Sequence, residues 1–351
     1  MKFRMFAMLG LVLALGVTAS VAGINSKEVG AIVIYPEYYA TDYREPSGNG
    51  PYDTQFTYIT ITNDKSTPVN AHFEIIDGDA CDDCNFDLPL TGFQTQRLIL
   101  ARVYVSGVWA TVVANSSDIL LGPTLEDVID ETIITACPGR KGFVIATLEA
   151  PGVEPRATLG ENMLHGDEVV VNLSRGSAVQ VGAIAVQGAG PNNGDRVYDF
   201  NSVEYKKFPS IVTANFWAPT LGNTVDPRLV LFNVNFNTND VLPPTTACSI
   251  NYANAEEQIF SRSFNFDCWT DERLLTIAPG FHELALGTTN GFLWVQCEEG
   301  THGALYTQLN GPATSVWPYP GGADFKDTLF QSTTNSASAR LTLTPSITGT
   351  P

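Results

Sequence analysis

The chain has 351 residues, with 37 Asp and Glu against 19 Lys and Arg, a formal net charge of −18, and it is 44% hydrophobic but only 16% charged. So much apolar material excludes a disordered chain, and so few scattered cations exclude nucleic-acid binding, which draws its affinity from neutralised phosphates. The 30 glycines and 21 prolines cut the chain into short segments, as turns between strands do.

Residues 1–22, MKFRMFAMLGLVLALGVTASVA, join a basic head (Lys2, Arg4) to an apolar run from Phe6 to Val17 and a small-x-small end at Ser20, Val21 and Ala22. The pattern predicts a cleaved secretory signal peptide. Its apolar core is shorter than the roughly 20 residues that span a bilayer, and no cysteine follows the cleavage point to carry a lipid. No later segment is apolar and long enough for a transmembrane helix. The expected location is extracellular or at the cell surface, an oxidising space in which cysteines pair.

After the signal comes EVGAIVIY (residues 28–35), a predicted strand, and then the aromatic stretch YPEYYATDY with Tyr35, Tyr38, Tyr39 and Tyr43. FTYITITN (56–63) and NAHFEII (70–76) alternate with period two, the mark of strands with one buried face. A helix is predicted over TLEDVIDETII (124–134), where Leu125, Val128, Ile129, Thr132 and Ile133 repeat at helical spacing after Pro123 and a Thr124 cap. GFVIATLEA, EVVVNL and AVQVGAIAVQG continue the strands up to GAGPNNGD (188–195), a turn-forming cluster that marks a domain boundary.

Beyond it, RLVLFNVNFNT (228–238) places Val230, Phe232, Val234 and Phe236 on one face and Asn233, Asn235 and Asn237 on the other. That predicts an antiparallel sheet wet on one side. FSRSFNFDCW, GFLWVQC and the terminal ARLTLTPSI (339–347) extend the strand set, and WPYPGG (317–322) is a second aromatic loop. The reading is all-β: a signal peptide (1–22) and two tandem antiparallel β-sandwich domains, Ig-like or jelly-roll-like, over 23–190 and 191–351, with one short helix in the first. Features recur in both halves, NFD at 85–87 and 265–267 and GF at 142 and 291, which hints at a duplication.

The densest chemistry lies in DGDACDDCNFD (77–87). It fails as an EF-hand loop, because Cys81 and Asp82 stand where a ligand and a glycine belong and Leu88 where the bidentate Glu belongs. A looser calcium site on Asp77, Asp79, Asp82, Asp83 and Asp87 remains the cofactor candidate, and zinc lacks a second pair of soft ligands. The dominant reading is a turn between two strands, stapled by a disulfide. Cys81, Cys84 and Cys137 fall in the first half and Cys248, Cys268 and Cys297 in the second, so full pairing sends at least one bridge between halves or molecules. We favour Cys84–Cys137 and Cys268–Cys297, leaving Cys81 and Cys248 unassigned.

The four histidines (72, 165, 282, 302) form no HExxH, and no GxSxG elbow is present. A pair of facing glycosidase carboxylates leaves no local signature. Tyr38, Tyr39, Tyr43, Trp317 and Tyr319 are candidate stacking residues for a sugar, or rings packed across a domain interface. The resulting expectation is a secreted structural or adhesive protein that self-associates, with one terminal strand pairing in trans into a fibre or surface layer. The alternative is a carbohydrate-binding module or carbohydrate-active hydrolase with polysaccharide as partner. An outer-membrane barrel is disfavoured, because the chain ends in SITGTP without a terminal aromatic and shows no continuous lipid-facing band.

Overall fold

The computed structural model describes residues 24–25, 28–42, 44–46, 54–105, 107–115, 133–149, 161–172, 177–190, 200, 202–206, 208, 211–218, 225–234, 245–297, 302–310, 324–329 and 340–343. In the first half the strands are β1 (Ile24–Asn25), β2 (Ile32–Tyr39), β3 (Gln55–Asn63), β4 (Val69–Asp77), β5 (Asp83–Leu90) and β6 (Thr95–Val105). They are followed by β7 (Val108–Asn115), β8 (Ile133–Cys137), β9 (Lys141–Glu149), β10 (Leu164–Asn172), β11 (Ser177–Gly182) and β12 (Ile184–Val186). The second half holds β13 (Ile211–Trp217), β14 (Val225–Asn233), β15 (Thr246–Asn254), β16 (Ile259–Phe266) and β17 (Trp269–Arg273). Two single-turn helices, α1 (Leu274–Ile277) and α2 (Glu283–Leu286), precede β18 (Asn290–Cys297), β19 (His302–Asn310), β20 (Asp324–Leu329) and β21 (Arg340–Leu343).

All-β architecture is as predicted, and every strand pairing is antiparallel. The signal peptide lies outside the described residues, as do 191–195 of the boundary cluster and 124–132 of the predicted helix. Ile133 and Ile134 of that helix instead open β8. The two helices among the described residues were not predicted: His282 caps α2 by accepting from the Ala285 amide, and Gly287 ends it at φ 70°.

Four sheets result: sheet I (β11-β10-β3-β6-β7-β8), sheet II (β1-β12-β2-β9-β4-β5), sheet III (β17-β14-β19-β20-β21) and sheet IV (β13-β18-β15-β16). The order β2-β9-β4-β5 recurs as β13-β18-β15-β16, and β11-β10-β3-β6 as β20-β19-β14-β17. The registers agree in detail. Asn63 and Asn233 end corresponding strands, and their amides donate to Gln94 and Cys268 oxygens at 2.9 and 2.8 Å. Gly142 faces Asp77 and Gly291 faces Asn254. A Cβ on either glycine would run into a carbonyl oxygen of the neighbouring strand, Ile76 or Ala253, so this part of the sequence match has a cause. The NFD match does not, since Phe86 lies in the middle of its strand and Phe266 ends its own.

Three cores join the sheets into a stack. Ile59, Ile61, Leu98 and Leu100 of sheet I pack with Val33, Tyr35, Phe73 and Val144 of sheet II. The opposite face of sheet II (Ile32, Ile34, Phe143, Ile145) packs with Val230, Phe232 and Trp269 of sheet III. The opposite face of sheet III (Leu229, Leu231) meets Phe216, Ile250, Tyr252, Leu293 and Val295 of sheet IV. Successive strand residues point to opposite faces, so AIVIY (31–35) and LVLF (229–232) are apolar throughout because both of their faces are covered. This corrects the predicted wet face of β14. Asn233 is buried with Leu229 and Leu231, and its side chain donates to Thr246 Oγ1 at 3.0 Å; Asn235 and Asn237 lie outside the described residues.

The junction of sheets II and III centres on Trp269, whose indole N–H donates to the Pro36 oxygen at 3.1 Å and whose ring meets Tyr39 edge-on. Gly78 lies so close to it that a Cβ there would stand 2.5 Å from the ring. Replacing Trp269 by Ala should cost about 3–5 kcal/mol. Calorimetry should then resolve the single unfolding transition of the native protein into separate transitions for the two halves; an undivided transition in the variant counts against the coupling.

Candidate functional site

The acidic cysteine loop is the hairpin between β4 and β5. Asp77 Oδ1 accepts the Asp79 amide at 3.0 Å, the Asp77 amide donates to the Asp82 oxygen at 2.9 Å, and Cys81 takes a left-handed φ of 62°. The corresponding hairpin of the second half repeats the device. There Asn254 Oδ1 accepts the Glu256 and Gln258 amides, and Glu257 sits at φ 63°. Asp77 is thus a turn former, and burial raises its carboxyl above the ordinary value, with Asp79 and Asp82 adding to the rise. Asp79 pairs with Lys141 at 3.0 Å, Asp83 accepts from Asn85, and Asp87 faces His72 across the ladder. Among the described residues, no three of the five aspartates of the calcium candidate bring ligand atoms within 4.8 Å of one another.

The loop's cysteines tie it in two directions. Cys84 bonds to Cys137 within the first half, and Cys81 crosses to Cys268 over a sequence separation of 187. Cys248 bonds to Cys297 between β15 and β18, which corrects the Cys268–Cys297 pairing favoured from the sequence. The physical reason is register. Cys248 and Cys297 are directly opposed neighbours on one sheet face, whereas Cys268 lies on the far side of the sheet III layer with Trp269, against sheet II.

The described part of the first aromatic stretch lies in a sheet and not in a loop. Tyr38 and Tyr39 belong to β2, which runs between β12 and β9 in the middle of sheet II. Tyr38 is fully buried, and the Tyr39 hydroxyl donates to Asp271 Oδ2 at 2.6 Å while Arg228 Nε donates to the other oxygen, Oδ1, at 2.8 Å. Burial raises both phenols well above their ordinary value. Tyr43, Trp317 and Tyr319 lie outside the described residues. Residues 28–35, one of the two segments considered for pairing in trans, contribute β2 to sheet II of their own chain: Ala31, Val33 and Tyr35 are fully buried, and β2 has a partner on each side. At the other end, β21 pairs with β20 of its own chain.

A cluster missed in the sequence lies on the face of sheet II opposite the Phe73 core. His72 and Glu74 alternate onto that face from β4, Asp87 stands opposite His72 on β5, and Glu149 comes from β9, where it faces Asn70. His72 Nδ1 is 2.7 Å from Asp87 Oδ1, and Nε2 is 3.8 Å from Glu74 Oε1. His72, Glu74 and Glu149 are buried. His72, Asp87 and Glu149 each place a ligand atom within 4.8 Å of the other two. The available signal was the His-x-Glu alternation in NAHFE; its partners are remote in sequence and become neighbours only through strand pairing.

Glu168 is a separate feature. It is fully buried on β10, and neither carboxyl oxygen has a hydrogen-bond partner among the described residues. Burial raises it well above the ordinary carboxylate value, with the Asp167 charge adding, which favours the neutral form. A carboxyl raised in the fold contributes stability that is complete below its unfolded value and is lost as pH rises towards its folded value. The stability of Glu168→Gln relative to the native chain should therefore increase with pH between about pH 5 and 8. Urea unfolding across that range reads it, and a constant difference would contradict the assignment.

Sheet IV presents an outer face without a charged residue among its described side chains. Ile259, Ser261, Ser263 and Asn265 of β16 lie beside Ala247, Ser249, Asn251 and Ala253 of β15, followed by Phe292, Trp294 and Gln296 of β18. The Phe292 and Trp294 rings are 6.0 Å apart, and Ile259 is 68% exposed. At the sheet's edge, β16 has one strand neighbour among the described residues. No protein-family model, curated protein or solved structure matches the chain.

Proposed function

We propose that the protein is a secreted structural subunit that self-associates through the β16 edge and the adjoining face of sheet IV. Export is supported by the basic, apolar and small-residue pattern of residues 1–22 and by three disulfides. The observation that carries self-association is the contrast between two corresponding edges. β5 ends sheet II with Asp83, Asp87 and Pro89, charges and a proline of the kind that block edge pairing. β16 ends sheet IV with IFSRSFNF, which has no proline, no acidic residue and a single cation, Arg262. An edge of this kind pairs with a strand of another chain, and the uncharged face beside it buries at little desolvation cost.

Replacing Ser261 and Ser263 by Lys places two charges on exposed edge positions without touching the core. Sedimentation velocity should show concentration-dependent assembly of the native mature chain and a monomer for the double variant, with equal unfolding midpoints. A native chain that stays monomeric at the highest attainable concentration would refute the reading. One observation favours a second reading, a carbohydrate-binding face: Phe292 and Trp294 lie on the outer sheet face among Asn251, Ser249 and Gln296. Retention on a polysaccharide matrix that Phe292→Ala abolishes, from a monomeric native protein, would support it instead.

A further inference from the structure

We propose that His72, Asp87 and Glu149 bind one divalent transition-metal ion, with Glu74 as the carboxylate behind the imidazole. Three strands supply the ligands: His72 from β4, Asp87 from the directly opposed position on β5, and Glu149 from β9. Their ligand atoms lie within 4.8 Å of one another. Atoms that share one ion at about 2.0–2.2 Å stand no more than about 4.4 Å apart, so small side-chain rotations close the site. Nδ1, already 2.7 Å from Asp87 Oδ1, is the nitrogen on the ion's side. Nε2 faces Glu74 Oε1 at 3.8 Å, and a carboxylate on the second ring nitrogen is the usual support of a ligating imidazole. The Asp87 side chain is 36% exposed and gives the ion a way in from solvent.

The comparison between the two halves shows that the ligand-type residues are particular to the first half. Matching the hairpins and registers of β4-β5 with β15-β16 sets His72 against Ser249, Glu74 against Asn251 and Asp87 against Ser263. The sheet therefore forms with neutral residues at these places. Yet the neutral set is on the face of sheet IV that meets solvent, whereas His72 and Glu74 are 6% and 3% exposed. An imidazole among carboxylates selects a transition metal over calcium, which takes oxygen ligands.

The test is equilibrium dialysis of the mature, chelator-stripped protein against zinc chloride, with calcium as competitor and elemental analysis as readout. The native chain should retain one zinc per molecule in the presence of excess calcium, and zinc should raise its unfolding midpoint. Asp87→Asn and His72→Gln should weaken binding by at least about tenfold, while Asp83→Asn leaves it unchanged. Because Asp87 is partly exposed, its variant keeps the test decisive if His72→Gln fails to fold. Failure of the native chain to retain zinc, equal retention by Asp87→Asn, or displacement by calcium would each overturn the proposal.

Discussion

The molecule depends on the burial of sheet II against sheet III, because that contact turns what would be an outer surface of each sandwich into an interior. Apolar residues on this face of sheet II, Ile32, Ile34, Phe143 and Ile145, have no other sheet to meet, and Val230 and Phe232 are in the same position on sheet III. Trp269 fixes the relation between the layers by donating to the Pro36 oxygen, and Asp271 does so by accepting from Tyr39 while holding Arg228. Cys81–Cys268 closes a loop of 187 residues over the same junction, a constraint worth about 5 kcal/mol in the chain-entropy model. The acidic cysteine loop therefore serves as a latch between the halves. Its aspartates shape the hairpin that presents Cys81.

The repeated strand order makes the differences between the halves informative. Ala71 and Leu148 are directly opposed on β4 and β9, and at the matching position in the second half the opposed pair is Cys248 and Cys297, bridged. The first half adds β7 and β8 and carries the Cys84–Cys137 bridge between β5 and β8. The face of sheet II that the second half covers corresponds to the face of sheet IV that is open, and the guarded edge β5 corresponds to the unguarded β16. Among the described residues, the repeated order leaves sheet IV with an outer face that no other sheet covers at the end of the stack. Self-association is a way of covering it.

Period-two alternation made the strands legible wherever one face is wet, as in QFTYITITN of β3, and β-class followed directly from that pattern. It misled at β14, where Asn233 looked like a solvent-facing residue but is a buried side chain bonded to Thr246. Alternation reports the chemistry of a face and not what lies over it. The loop expected around Tyr38 and Tyr39 differs for a related reason, since Pro36 and neighbouring turn formers suggest one, although packing across the domain interface, one of the two readings of these rings, is what Tyr39 does against Trp269. The chain in fact continues through a register shift between Tyr35 and Tyr38 and stays in the sheet. The count of three cysteines per half made a bridge between halves an expectation, while its identity needed the register that puts Cys248 opposite Cys297. His72, Asp87 and Glu149 are separated by long stretches of chain and carry no spacing motif, so only the strand order could bring them together.

The most direct test of the account is disulfide mapping of the mature protein, by proteolysis and mass spectrometry without reduction and with free thiols blocked. The account predicts a peptide containing Cys81 covalently joined to one containing Cys268, together with Cys84–Cys137 and Cys248–Cys297. Cys81 joined to another cysteine of the first half, or Cys268 joined to Cys297, would contradict it, because neither pairing is compatible with sheets II and III packed face to face as described.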